Sequence, residues 1–158
     1  MNCKAIILAA GDGKRMKSSG PKVMCTVLGD PMIDWVTDSV RDAGIKDEDT
    51  GVIVGYGADK VKSFLAEKGA FRTFTQAERR GTGHAVMQAA GMLGPGTDVL
   101  VLCGDAPFAD SDTIKASLEE HRRSGNDVTV VTAELPDPAD RGRILRGDNG
   151  ELLGIVVS

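Results

Sequence analysis

Residues 5–16 have the sequence AIILAAGDGKRM, in which a short aliphatic run leads directly into a glycine-rich, basic turn. A continuous run of aliphatic residues is typical of a strand that is buried on both faces, as in a parallel sheet. A glycine-rich turn after such a strand presents backbone N–H groups in a way that suits the phosphates of a ligand. The stretch therefore predicts the first strand of an α/β fold with a ligand loop at its carboxyl end.

Further aliphatic runs recur along the chain, and segments with a helical pattern separate them. The runs lie at residues 52–54, 99–102 and 128–131. Apolar spacing predicts helices from about 31 to 43, from 58 to 68, from about 84 to 93 and from 112 to 124. This alternation favours an α/β sandwich with a mostly parallel sheet and right-handed crossovers.

Cap residues set the expected ends of the helices. In the first helix we expect Asp30 as the cap, Pro31 as the first residue and Gly44 as the stop. In the fourth helix we expect Ser111 as the cap.

The last part of the chain has a different pattern. Asn149-Gly150 is a strong signal for a hairpin turn. Residues 143–146 and 152–157 flank this turn and are predicted to pair as antiparallel strands.

Composition excludes several classes of protein. The chain has 158 residues, of which 41% are apolar and 27% charged, the balance of a globular domain rather than a disordered tail. A net charge of -4 argues against binding to nucleic acid or to an anionic membrane surface. Cys3, Cys25 and Cys103 have no disulfide or zinc spacing, so we expect a cytoplasmic protein in which Cys25 and Cys103 are small buried apolar residues.

The loop after the first strand departs from both familiar phosphate-binding loops. Gly11 and Gly13 are followed by Met16 where a dinucleotide loop requires glycine, and Leu8 stands where a Walker A loop requires its first glycine. A solvated surface turn is one interpretation of this basic segment. Its place directly after a buried strand favours a ligand loop instead. The cations available there are Lys14, Arg15, Lys17 and Lys22.

Four segments together resemble a known family, the sugar-1-phosphate nucleotidyltransferases. Residues 8–16, followed by Pro21-Lys22, resemble its signature. Three later segments are similar to bacterial N-acetylglucosamine-1-phosphate uridylyltransferases: residues 76–85 to the loop that reads uracil, residues 104–107 to the metal-binding turn, and residues 142–144 to the strand that faces the sugar. The segments occur in the order of the family and span the chain.

The resemblance implies both a fold and a reaction. The fold would be a Rossmann-like three-layer sandwich of the nucleoside-diphosphate-sugar transferase type. Residues 1–158 would form the N-terminal portion of the nucleotidyltransferase domain, without the β-helix acetyltransferase domain of the bifunctional members. The reaction would transfer uridylyl from UTP to N-acetylglucosamine 1-phosphate, with Mg²⁺ as cofactor. It would give pyrophosphate and UDP-N-acetylglucosamine, a peptidoglycan precursor for the cell wall.

The resemblance also implies roles for individual residues. The catalytic residues would be Arg15, on the β- and γ-phosphates, and Lys22, at the α-phosphate. Asp105 would be the metal ligand, and Gly142 would face the sugar. The implied nucleotide-binding residues are Leu8, Ala9, Ala10, Gly11, Gly13, Gln76, Gly81 and Thr82.

The chemistry of several of these residues fits the implied roles. An amide such as Gln76 can answer both the N–H donor and the carbonyl acceptors of uracil, although a lone glutamine is more often a solvated surface residue. His84 stands where the third helix begins, and contact with ligand, capping and packing all remain open. Asp105 follows a buried strand, where a carboxylate suits Mg²⁺, the alternative being a turn cap.

The sequence departs from the family at several points. Gly20 replaces the usual Leu before Pro21-Lys22, Asp140-Arg141 replaces a Gly-Tyr pair, and Val157 replaces a glutamate that binds the amino sugar. The chain also stops at Ser158, whereas the family domain continues. We therefore expect nucleotide binding with weak or absent turnover.

Alternatives to this function remain open. They are a nucleotidyltransferase with another sugar phosphate or acceptor, and a non-catalytic nucleotide-binding fragment. The Gln76 loop argues against a molybdopterin guanylyltransferase and against a cytidylyltransferase, because guanine and cytosine present different edges. The oligomeric state is left undetermined.

Overall fold

A parallel sheet is the centre of the first of two units, residues 1–127 and 128–158, into which the chain divides. The computed structural model describes residues 2–13, 20–78, 80–137, 139 and 141–156. In chain order the strands of the first unit are β1 (Cys3–Ala9), β2 (Thr26–Val27), β3 (Asp30–Pro31), β4 (Thr50–Val54), β5 (Arg72–Thr75) and β6 (Asp98–Cys103). Its helices are α1 (Met32–Asp42), α2 (Ala58–Lys68), α3 (Thr82–Met87) and α4 (Ser111–Ser124).

The main sheet has the order β5-β4-β1-β6, and all of its neighbouring strands are parallel. The central strand is β1, in which Ile7 pairs with Val52 on one side and with Leu102 on the other. Parallel neighbours require crossover connections, and helices supply most of them. The predicted parallel α/β sheet is therefore confirmed.

Side chains alternate along β1 between the two faces of the sheet. Ala5 and Ile7 belong to a core that includes residues of α1, α2 and α4, while Ile6 packs on the other face with Ala85 of α3 and with Met92. Helices cover one face and the β1–β4 part of the other, while Val99 and Val101 of β6 are exposed, and the arrangement confirms a three-layer, Rossmann-like sandwich. The loops that follow the carboxyl ends of the strands form the site.

Two predicted caps are wrong by one residue. Asp30 pairs with Val27 in a short antiparallel ladder, so α1 begins at Met32 after Pro31 and has no side-chain cap. At α4 the cap is Asp110, whose carboxylate accepts from the Thr113 N–H at 2.8 Å. The amide also lowers the pKa of Asp110, because it stabilises the charged form.

Other predictions differ in their success. The second helix has the predicted bounds, and its Val61 and Leu65 are buried. The third helix begins earlier than expected, at Thr82, and is followed by a 3₁₀ turn at Ala90–Met92. The predicted strand at residues 128–131 is wrong: that segment forms no strand, and its Val128 and Val131 are exposed. The strand β5 was not predicted, because Arg72–Thr75 is mostly polar.

The second unit contains the predicted hairpin. Its strands are β7 (Arg143–Arg146) and β8 (Leu152–Val156), which pair antiparallel. The connecting turn is closed by a hydrogen bond of 2.9 Å from Gly150 N–H to Gly147 O. Val157, the expected last residue of β8, lies outside the described residues.

Among the described residues, no helix has both the length and the apolar character needed to cross a bilayer.

Candidate active site

An open cavity of about 300 Å³ lies at the carboxyl ends of the strands in the first unit. Parallel strands leave their carboxyl ends at one edge of the sheet, and this is where ligands of open α/β sheets bind. The end of β1 and its loop contribute Leu8, Ala10 and Gly11 to the wall, and Cys103 comes from the end of β6. The cavity brings together eight residues that the sequence predicted for the site: Leu8, Ala10, Gly11, Lys22, Gln76, Gly81, Thr82 and Asp105.

The remaining predicted site residues have other positions. The side chain of Ala9 is only 1% exposed and packs in the core, and the backbone of Gly13 packs closely against Lys22. Gly142 belongs to the second unit, where it lies close to Ile155. Arg15 lies outside the described residues, as do Lys14 and Lys17.

Lys22 and Asp105 form an ion pair at the cavity. The Lys22 ammonium donates to Asp105 Oδ2, and the two side chains retain 36% and 35% of their exposure. Asp105 is held near β1 by the preceding residue, because Gly104 N–H donates to Leu8 O at 2.9 Å. Both charged groups can therefore be reached by a ligand. Without a ligand, each neutralises the charge of the other.

Two glycines allow the backbone around Lys22 to pack closely. A Cβ on Gly13 would lie 2.8 Å from Lys22 Cβ, and Gly13 has φ +57°. A Cβ on Gly57, which has φ +62°, would lie 2.8 Å from Pro21 Cδ. Only glycine adopts such a φ without strain, so both positions help to fix where Lys22 emerges.

Gln76 is buried beside the cavity. Its backbone N–H donates to Val54 O at 2.8 Å, so the residue continues the pairing of β5 with β4. Its side chain is 6% exposed, and its amide Nε2 lies 3.1 Å from Gly81 O and 3.1 Å from His84 Nδ1. The structure therefore places His84 in contact with a predicted site residue, whereas the sequence did not decide between ligand contact, capping and packing for His84.

Cys103 was predicted to be a buried apolar residue, and this is wrong. It is exposed and lines the cavity, because alternate side chains of β6 face a side of the sheet that the described residues leave uncovered. Desolvation by nearby protein atoms and the charge of Asp105 raise the pKa of its thiol. The neutral thiol is a weak nucleophile.

Comparisons with known proteins agree with this arrangement. The model of the MobA-like NTP transferase domain family matches residues 5–142. The Bifunctional protein GlmU of Thermoanaerobacter pseudethanolicus is 44% identical over 151 residues, and that of Fervidobacterium nodosum is 46% identical over 149 residues. These alignments cover 96% and 94% of this chain but only 32% and 31% of those proteins. The chain thus spans about a third of the length of these curated relatives.

A solved structure shows the same fold. It is a Bacillus anthracis protein, provisionally named a glucose-1-phosphate thymidylyltransferase and crystallised in complex with a sucrose. The TM-score is 0.83 at 25% identity, and the match covers 98% of this chain and 64% of that one. The sheet, the position of the cavity and the family match over residues 5–142 lead to one conclusion. This chain belongs to the MobA-like NTP transferase domain family and is a nucleotidyltransferase domain that is similar to part of the bifunctional GlmU proteins.

Proposed function

We propose that this domain transfers uridylyl from UTP to N-acetylglucosamine 1-phosphate and releases pyrophosphate. The observation that carries the proposal is the lining of one cavity by a buried amide, Gln76, and by a charged pair, Lys22 and Asp105. An amide suits the edge of a base, while a lysine suits a phosphate. The match to an NTP transferase domain family supports a nucleoside triphosphate as one substrate, and the name of the Bacillus anthracis protein supports a sugar phosphate as the other.

The transfer needs no nucleophile from the protein. An oxygen of the acceptor phosphate attacks the α-phosphorus of UTP in line, and pyrophosphate leaves. Catalysis then consists of holding the two anions together and neutralising the charge that develops on the phosphoryl oxygens.

Lys22 is proposed to neutralise charge at the α-phosphate. Its side chain is about one third exposed at the cavity, so a phosphate can take the place of Asp105 as its partner. Backbone N–H groups of residues 10–13 are proposed to hold the other phosphates together with Arg15, which lies outside the described residues.

Asp105 is the residue proposed to hold Mg²⁺. The described residues contain no cluster of three or more His, Cys, Asp or Glu side chains that could hold a metal unaided. Mg²⁺, however, commonly takes one or two carboxylates and completes its shell with phosphates and water. Asp105 fits this pattern, because its partly exposed carboxylate lies at the cavity, where phosphate and water could complete the shell. When bound, Mg²⁺ would neutralise phosphoryl charge.

Nucleotide binding without turnover is the second candidate. The residues proposed for the nucleotide and the metal belong to the first unit, whereas Gly142, the one proposed for the sugar, belongs to the second. The proposed nucleotide contacts are thus contained in a single unit of the chain.

An assay of pyrophosphate release separates the two candidates. The chain is incubated with UTP and N-acetylglucosamine 1-phosphate, with and without Mg²⁺, and in parallel with CTP, GTP and ATP. Release that requires UTP, the acceptor and Mg²⁺ supports uridylyl transfer. UTP binding in calorimetry with no release supports the second candidate. Equal binding of all four nucleotides contradicts the uridylyl assignment.

A further inference from the structure

The amide of Gln76 has both of its N–H donors engaged. One contact is to Gly81 O at 3.1 Å, and a carbonyl can only accept, so the amide atom beside it must be Nε2. The second contact of Nε2 is to His84 Nδ1, also at 3.1 Å. Among the residues that the structure describes, none donates to the remaining atom, Oε1. Because Gln76 lines the cavity, Oε1 is the atom of this amide that is left for a ligand.

His84 has an amide on either side of its ring. The Gln88 Nε2 atom lies 3.2 Å from His84 Nε2 and donates to the backbone O of His84 at 3.0 Å. A neutral imidazole has one nitrogen with a free lone pair, so it accepts from one amide at a time. Gln76 is buried while Gln88 is half-buried and reaches water, so an unmade bond costs more at Gln76. We therefore assign His84 Nδ1 as the acceptor and the proton to Nε2, and Gln88 Nε2 then donates only to the backbone O of His84.

This orientation distinguishes the two pyrimidines. Uracil presents an N–H donor at N3, which an acceptor such as Oε1 satisfies. Cytosine presents a lone pair at the same position and meets Oε1 with repulsion. If the amide of Gln76 turned over, its N–H groups would face the ligand, and this distinction would be lost.

We infer that His84 is a positioning residue that makes the site select uracil over cytosine by fixing the amide of Gln76. The inference rests on the proposed function, because it takes a uridine nucleotide as the ligand. His84 acts on the base only through Gln76 and makes no contact with it. Gly81 O is the second anchor of the same amide, so loss of His84 weakens the selection and leaves part of it.

Two variants of equal size test the inference. In His84→Asn the side-chain oxygen can stand in for Nδ1 as an acceptor, whereas His84→Leu has the same shape and no acceptor. The dissociation constants of UTP and CTP are measured by calorimetry with the whole chain and Mg²⁺, and thermal unfolding checks the fold of each variant. We expect His84→Asn to keep the UTP/CTP preference and His84→Leu to lose about tenfold of it. Gln88→Ala removes the competing amide and is expected to keep the preference.

The outcomes distinguish this inference from the proposed function. Equal affinity of the unsubstituted chain for UTP and CTP, or no binding of either, defeats the proposed function. A UTP/CTP preference that is undiminished in folded His84→Leu overturns the role of His84 alone. Equal weakening of both nucleotides in His84→Leu also overturns it, because that is the mark of a merely structural residue.

If His84→Leu does not fold, a measurement on the unsubstituted chain tests the inference instead. The chain has two histidines, so the ¹⁵N resonances of the His84 ring can be assigned with one variant at His121. At about pH 8, above the usual range of imidazole protonation, we expect the proton on Nε2 and a free lone pair on Nδ1. A proton on Nδ1 would overturn the inference.

Discussion

Replacing Lys22 with methionine is expected to separate the stability of the fold from its chemistry. Methionine keeps most of the length of the side chain and removes the ammonium that donates to Asp105. The variant therefore changes a charge at the cavity with little change in packing. If Lys22 serves the reaction, turnover must fall far more than stability.

The effect on stability follows from the exposure of the ion pair. Both side chains retain about a third of their exposure, so water screens their attraction. A pair of this kind contributes about 0.2–1 kcal/mol to the free energy of unfolding. For a chain of this size the expected shift in melting temperature is below about 4 °C.

The effect on turnover follows from the proposed position of the charge. Removing one group that stabilises charge in a transition state lowers the rate by about 100- to 1000-fold. The effect on UTP affinity is smaller, because the ammonium must leave Asp105 before it can bind phosphate. We expect the dissociation constant of UTP to change by less than about tenfold, since one charge contact replaces another.

Steady-state pyrophosphate release, calorimetry with UTP and thermal unfolding measure the three quantities. Lys46→Met is a matched control, because Lys46 is 75% exposed, pairs with Glu48 and is not part of the cavity wall. Where the unsubstituted chain turns over, a rate for Lys22→Met within threefold of it would refute the proposed role. If Lys22→Met lost rate and UTP affinity equally, Lys22 would serve only to bind UTP and not to stabilise the transition state.

Three other perturbations have expected outcomes. Gly13→Ala should lower the free energy of unfolding in urea by about 1–3 kcal/mol, because its Cβ would crowd Lys22 at a left-handed φ. Gly11→Ala, which has open space around it, should be nearly neutral. Folding lowers the pKa of Asp110, so its carboxylate stabilises the fold at pH values above its ordinary pKa of 3.8. This stabilisation is lost as the pH falls through the lower pKa of the folded state. Asp110→Asn should therefore make the free energy of unfolding less dependent on pH at the acid end. Melting temperatures between pH 2 and pH 6 test this, and a profile unchanged from the parent would contradict it. Asp105→Asn should raise the Mg²⁺ concentration for half-maximal pyrophosphate release by about tenfold, since a charged ligand is lost. The matched control Asp112→Asn, at a side chain that is 94% exposed, should leave that concentration unchanged, and equal effects of both variants would argue against Asp105 as a ligand.

The fold was predictable where apolar spacing decides it. The runs in β1 and β4 and the apolar faces of α1 and α2 have their predicted places, because burial against neighbours determines them. The run in β6 also forms its predicted strand, but it is not buried on both faces as expected, since Val99 and Val101 are exposed. By contrast β5 escaped prediction, since its pairing with β4 is a backbone interaction that polar side chains do not reveal. The strand predicted at residues 128–131 is absent for the opposite reason. This segment is apolar, but among the residues that the structure describes it has no neighbouring strand with which its backbone could pair.

The site was predictable in its composition but not in its internal contacts. Motif spacing identified residues on several loops, and the common edge of the parallel strands brings eight of them to one cavity. The pairing of Lys22 with Asp105 depends on the register of β1 against β6, which no local pattern contains. Likewise the link from Gln76 to His84 depends on how α3 folds back after Gly81.

The close contact between Pro21 and Gly57 links two positions that are far apart in the sequence. A substitution at Gly57 would displace Pro21 and with it the emergence of Lys22, although Gly57 touches no proposed ligand. A smaller residue at position 21 would remove this clash but not the strain of the left-handed φ at position 57, so we expect glycine at position 57 in related sequences. For protein engineering, this contact offers a way to move Lys22 from outside the cavity.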